Sequence, residues 1–124
     1  MPKKRLKILH VDDESDVLKV VKTILEKEGY DVVSVKGGKA ALSQVDLNGF
    51  SLILLDIMMP DMSGWDLFSR ITIIKPEYKV IFLSVLEASK EKINELKKHG
   101  IKDYITKPFD RADLVARVKK AIAS

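Results

Sequence analysis

A doubly wound α/β fold, with five parallel strands alternating with five helices, is the architecture this sequence predicts, on three observations. Five short apolar runs cross the chain, at Leu6 to Val11, Val32 to Val35, Leu52 to Leu55, Val80 to Leu83 and Tyr104 to Thr106. Several are continuously apolar rather than alternating, which suits strands of a parallel sheet covered by helices on both faces. The residues at the ends of the runs, Asp12, Val35, Asp56, Ser84 and Lys107, recur at intervals of 21 to 28 residues. Such an interval accommodates one strand, one helix and two loops.

The stretches between the runs are amphipathic. Val17, Val21, Ile24 and Leu25 fall on one helical stripe, and Gly29 follows where a helix C-terminus favours glycine. Leu114, Val118, Ala121 and Ile122 form a second stripe, with Arg117, Lys119 and Lys120 off it. Lys36-Gly37-Gly38-Lys39 lacks the spacing of a phosphate-binding P-loop and is expected to start a helix after the second strand. No sequence repeat, linker or low-complexity segment interrupts the pattern. The expectation is one domain over residues 1–124, with no output domain attached.

Composition narrows the function classes. There are no cysteines, so disulfides, thiol catalysis and cysteine-metal sites are excluded. No apolar run approaches the roughly 18 residues of a membrane span, and the basic start is followed by too short an apolar stretch for a signal peptide. A cytoplasmic, non-membrane protein is expected. The net charge of +4 comes mostly from lysines spread along the chain, with a denser patch at Lys3, Lys4, Arg5 and Lys7. Without a helix-turn-helix, zinc-finger or aromatic RNA-binding pattern, it reads as a solvated surface and not as a nucleic-acid site.

An open α/β sheet binds ligands beyond the carboxyl ends of its strands. Here those ends carry Asp12 and Asp13 on the first strand, Asp56 on the third, Ser84 on the fourth and Lys107 on the fifth, while the second carries no chemical group. Taken singly, each has an ordinary explanation: Asp12-Asp13-Glu14 as a loop leading to a helix cap at Ser15, Asp56 as a turn residue, Lys107 as one of many surface lysines. One fold bringing all of them to one edge changes the weighing. Converging carboxylates repel one another unless a cation joins them. Oxygen ligands without His or Cys suit Mg²⁺. A carboxylate such as Asp56 can act as a nucleophile towards phosphorus, with a divalent ion, a lysine and a hydroxyl neutralising the equatorial oxygens. Pro108 holds Lys107 extended, and Lys107-Pro108 is a candidate cis peptide.

The residues Ile8-Leu9-His10-Val11-Asp12-Asp13-Glu14, then Leu54-Leu55-Asp56-Ile57-Met58-Met59-Pro60 with Gly64, then Ser84, and finally Tyr104-Ile105-Thr106-Lys107-Pro108-Phe109 closely resemble the receiver domains of two-component response regulators. The resemblance runs from Lys7 to about Ala123. It implies the flavodoxin-like strand order 2-1-3-4-5. It also implies that Asp56 is the phosphoacceptor, charged from a phosphohistidine on a sensor histidine kinase or phosphotransfer protein. Mg²⁺ would be held by Asp13 and Asp56 directly, by Asp12 through water, and by the backbone carbonyl of Met58. Ser84, Lys107 and the Val85 backbone would contact the phosphoryl group. Ser84 and Tyr104 would form a switch that alters the face made by the fourth helix, fifth strand and fifth helix, where an output protein or a phosphorylation-dependent homodimer partner binds. Such a domain is not an enzyme beyond its own phosphorylation and dephosphorylation.

Two positions depart from the family's usual pattern. Ser84 keeps the hydroxyl without the methyl of the frequent threonine, and Val85 stands where a small residue is usual, which is expected to restrict access for small phosphodonors. An aspartate-nucleophile phosphatase is disfavoured because Met58 occupies the place of its second aspartate. A flavin carrier is disfavoured because Lys36-Gly37-Gly38-Lys39 lacks the P-loop spacing, and a degenerate receiver would have lost acidic, hydroxyl or lysine positions that are all present. In the fourth helix Ile93 and Leu96 are the main apolar anchors amid Lys90, Glu91, Lys92, Glu95, Lys97 and Lys98, so it is expected to be among the less stable elements and suited to movement.

Overall fold

The structure is a computed structural model that describes residues 5–46 and 49–124. Lys3 and Lys4 of the basic patch lie outside the described residues. Strands and helices alternate as β1 (Lys7–Val11), α1 (Ser15–Lys27), β2 (Asp31–Val35), α2 (Gly38–Val45), β3 (Leu52–Leu55), α3 (Gly64–Ile74), β4 (Val80–Ser84), α4 (Lys90–Lys98), β5 (Ile101–Thr106) and α5 (Arg111–Ala123). The strands are parallel in the order β2-β1-β3-β4-β5. This matches the expected doubly wound sheet and its expected order.

The two faces of the sheet bury separate cores. Leu9, Val11, Ile53, Leu55, Val80 and Phe82 pack against Ala41 and Val45 of α2, Leu67 and Ile71 of α3, and Leu96 of α4. Ile8, Leu52, Leu54, Ile81, Leu83 and Ile105 meet Val21, Ile24 and Leu25 of α1 and Leu114, Val118 and Ala121 of α5. β3 is fully buried along its length, which is why Leu52–Leu55 reads as an unbroken apolar run.

Local chemistry sets the boundaries. α1 starts at Ser15 with Glu14 as its cap residue, so the capping position lies one residue earlier than Ser15; no side chain caps it. Ser63, Ser89 and Asp110 each accept a backbone N–H three residues on and cap α3, α4 and α5. Gly29 takes φ of +96° after α1, the left-handed conformation that favours glycine. α2 begins at Gly38 as expected, and the Asp61 carboxylate accepts the Gly38 and Lys39 N–H groups at 3.1 Å each. The loop after β3 is thereby tied to the start of α2. β5 begins three residues before its apolar run, because exposed Lys102 and partly exposed Asp103 interrupt the hydrophobic pattern of an edge strand.

Gly64 sits where α3 meets the end of β3. A Cβ there would lie 2.5 Å from the Asp56 carbonyl oxygen and 2.8 Å from Ile57 Cα, both backbone atoms. The Gly64 N–H donates to the Ile57 carbonyl at 2.8 Å. Gly64→Ala should therefore displace the loop carrying Asp56 and lower stability by about 1–3 kcal/mol, as overpacking does. Urea unfolding of the two proteins measures this, and equal midpoints would show that the loop accommodates the methyl without strain.

Candidate functional site

Backbone hydrogen bonds tie neighbouring strand ends together at one edge. Asp56 N–H donates to the Val11 carbonyl (3.0 Å), Asp12 N–H to Val35 (3.2 Å) and Lys107 N–H to Ser84 (2.7 Å). The side chains of Asp12, Asp56, Ser84 and Lys107 converge there and are buried. Lys107 Nζ lies 2.7 Å from Asp12 Oδ2, 3.4 Å from Asp56 Oδ2 and 3.6 Å from Glu14 Oε1. One ammonium thus answers three carboxylates. The peptide bond between Lys107 and Pro108 is cis.

Electrostatics separates the two buried aspartates. Burial works against the charge on Asp12, but the facing His10 imidazole, the Lys107 ammonium and the Glu14 N–H outweigh it and hold the carboxyl well below the usual range. His10 Nε2 stands 3.8 Å away, beyond hydrogen-bond reach, so the 2.7 Å contact with Lys107 is the firmer hold. Asp56 shifts the other way. Burial and the nearby Asp12 charge push it up, against the weaker pull of Lys107 and of the Met58 N–H on Oδ1 at 3.2 Å. Burial also opposes the charge on Lys107, yet its acidic neighbours raise its pKa overall. Breaking such a buried pair costs about 3–5 kcal/mol, because the surviving partner is left buried and uncompensated.

The carboxylates that come together are Asp12, Glu14 and Asp56, each offering an oxygen within 4.8 Å of the others. Asp13 is exposed and stands outside this group. Glu14 was not singled out from the sequence. Its place depends on where α1 begins, and the only available signal was its adjacency to the acidic pair. The donor set is all hard oxygen, without His or Cys, and so fits a small divalent cation such as Mg²⁺. The Met58 side chain is 58% exposed.

On the other side of Lys107, Ser84 Oγ accepts the Leu86 N–H at 3.2 Å, and the buried Tyr104 hydroxyl donates to the Leu86 carbonyl. Ser84 and Tyr104 therefore grip the same short loop. Val85, 55% exposed, lies on the wall of an open groove of about 360 Å³ with Val17, Val20, Lys107 and Phe109.

A doubly wound sheet with an acidic cluster and a lysine at its carboxyl edge defines a phosphoryl-signalling class of α/β domain, and the comparisons make that specific. Residues 8–119 match the family model described as response regulator receiver domain. The nisin biosynthesis regulatory protein NisR of Lactococcus lactis subsp. lactis is 42% identical over 118 residues, covering 94% of this chain and 50% of that protein. The response regulator SaeR of Staphylococcus aureus is 34% identical over 115 residues, covering 93% of this chain and 50% of the relative. Among solved structures, the BeF₃-activated DrrB receiver domain superposes with a TM-score of 0.83 at 34% identity, covering 98% of this chain and all of that one. The response regulator TrrA from Thermotoga maritima, in complex with Mg²⁺-BeF, gives 0.80 at 31% identity over 94% of this chain and 98% of that one. The chain belongs to the response regulator receiver domain family of two-component signalling. It spans about half the length of the curated relatives it matches. Among the described residues no helix is long and apolar enough to cross a membrane.

The opposed shifts of the aspartates give a signed prediction for Asp56. Its folded-state pKa is raised above the unfolded value, so its ionisation costs folding stability above the folded pKa and costs none below the unfolded one. Asp56→Asn should therefore raise the urea midpoint at pH 7, and the gain should shrink as pH falls through the raised pKa. A midpoint lowered at pH 7 would contradict the assignment of burial and Asp12 repulsion as the dominant influences.

Proposed function

We propose that this receiver domain is a phosphorylation-dependent switch in which Asp56 accepts the phosphoryl group. The observation that carries the proposal is the placement of the Asp56 carboxylate at the carboxyl edge of the sheet, 3.4 Å from the Lys107 ammonium and beside Asp12. An Asp56 carboxylate oxygen forms the new P–O bond as the P–N bond to a partner's phosphohistidine breaks, and the departing imidazole keeps the electron pair. The donor is a sensor histidine kinase or a phosphotransfer protein, and the setting is cytoplasmic.

Asp12, Asp13, Asp56 and the Met58 carbonyl are the groups we assign to Mg²⁺, with Glu14 added by its position in the cluster. Bound there, the ion neutralises charge developing on the phosphoryl oxygens. Lys107 supplies a second positive charge, which its extended attachment before Pro108 points into the site. Ser84 Oγ and the Val85 N–H donate to the remaining oxygens. The domain's own chemistry is limited to this transfer and to hydrolysis of its own phosphoaspartate.

The phosphorylated residue carries about −1.5 to −2 charges and three strong acceptors. It competes with Asp12 for Lys107 and draws the Ser84 hydroxyl, which donates to it while its Oγ can still accept the Leu86 N–H. Tyr104, bonded to the Leu86 carbonyl, follows the loop, and the α4–β5–α5 face changes with it. An output partner, on this chain or another, docks on that face; a homodimer through it is one such arrangement. α4 suits movement, since Leu96 is its one buried anchor and Ile93 is only partly buried.

Incubation with acetyl phosphate and Mg²⁺, followed by intact-mass spectrometry, tests the transfer. One phosphoryl group should appear on the wild type and none on Asp56→Asn or after chelation with EDTA. Lys107→Ala should slow the gain by about 10²-fold, as loss of a transition-state donor does. Val85→Ala should accelerate both gain and loss by opening the groove. Wild-type labelling of Asp56→Asn would place the acceptor elsewhere.

A further inference from the structure

Among the described residues, the buried side-chain polar atoms without a hydrogen-bond partner are Nδ1 and Nε2 of His10 and Oγ of Ser34. They lie in one place. His10 and Ser34 are directly opposed in the β1–β2 ladder, where adjacent strands run about 4.8 Å apart. By the alternation of strand side chains, both project from the face that carries Ile8 and Val32. His10 is wholly buried, and its Nε2 faces Asp12 Oδ2 at 3.8 Å. A shift of about 1 Å would close that gap to a hydrogen bond.

A buried polar group left unpaired costs about 1–3 kcal/mol, and an apolar residue would avoid that cost in a strand whose other buried residues are Ile8, Leu9 and Val11. The oxygen that His10 faces explains the imidazole. Asp12 Oδ2 is the atom that takes the Lys107 ammonium at 2.7 Å. Once Lys107 turns towards a phosphoryl group on Asp56, that oxygen loses its nearest cation while remaining buried. A neutral imidazole offers one donor and one acceptor. Its two neighbours call for that combination, a carboxylate on the Nε2 side and a hydroxyl opposite on β2.

We propose that His10 is a positioning residue for Asp12, its Nε2–H closing on Asp12 Oδ2 as Lys107 leaves for the phosphoryl group, with the Ser34 hydroxyl donating to Nδ1 to fix the tautomer. The exchange keeps the Asp12 carboxylate oriented and satisfied in both states. It rests on the receiver assignment of the site. Partners of this kind behind a metal-facing carboxylate characteristically change affinity by 10–100-fold when removed.

Imidazole ¹⁵N and ¹H NMR of the full chain, with and without Mg²⁺ and BeF₃⁻, tests the exchange directly. The His10 Nε2–H signal should move downfield and become protected from solvent exchange on loading, with Nδ1 unprotonated in both states. His10→Leu should lower the apparent affinity for Mg²⁺-BeF₃⁻ by about tenfold without lowering the thermal midpoint. His10→Gln, whose amide NH₂ reaches the place of Nε2, should restore most of the affinity, whereas His10→Asn should not. Unchanged His10 signals in protein whose Asp56 amide responds to BeF₃⁻ would overturn the positioning role alone. An Asp56 amide that fails to respond would overturn the receiver assignment and this role with it. A thermal midpoint that falls in parallel with affinity in His10→Leu, without rescue by glutamine, would reduce His10 to a packing residue.

Discussion

One ammonium group holds this site together. Lys107 is buried where Asp12, Asp56 and the exposed Glu14 meet, and its charge is what permits two buried aspartates to stand at one sheet edge. It does not serve them equally. Its closest contact is Asp12, which is stabilised as an anion, while Asp56 keeps a raised pKa and a longer contact. The carboxylate proposed to react is thus the less firmly held of the two, and the cation it needs is already beside it. A buried lysine bound to two anions is also a poised element, because any stronger anion at Asp56 redistributes its contacts.

The fold supplies the rest of that constraint through its edge. Lys107 follows β5, Ser84 ends β4 and the two are joined by a 2.7 Å backbone hydrogen bond, so a shift at the ammonium reaches the loop at Val85 and Leu86 within one ladder step. Tyr104 binds that same loop from below and packs its ring edge-on against Phe82, which in turn meets Trp65 of α3. The aromatic contacts connect Tyr104 to α3 without passing through solvent. On the opposite face, α1 and α5 are pinned by larger apolar stripes and serve as the fixed frame.

Much of this was legible in the sequence because parallel strands buried on both faces leave unbroken apolar runs, and the residues just past those runs are necessarily at the carboxyl edge. Asp12, Asp56, Ser84 and Lys107 follow from that rule alone. The rule fails where a residue's place depends on something other than a strand end. Glu14 joins the acidic cluster through the starting point of α1. Edge strand β5 extends beyond its apolar run, since exposed Lys102 and partly exposed Asp103 interrupt the hydrophobic pattern. His10 was hidden inside an apolar run, where a buried polar side chain gives no periodic signal; only the three-dimensional pairing with Ser34 and Asp12 brings it out.

A crystal structure of the chain loaded with Mg²⁺ and BeF₃⁻ tests the central role of Lys107 most directly. The account predicts that Nζ leaves its 2.7 Å contact with Asp12 Oδ2 and comes to hydrogen-bond distance of a fluoride on Asp56, with Ser84 Oγ turned to the same group. Nζ still bound to Asp12 in the loaded state, with no contact to the fluorides, would contradict it.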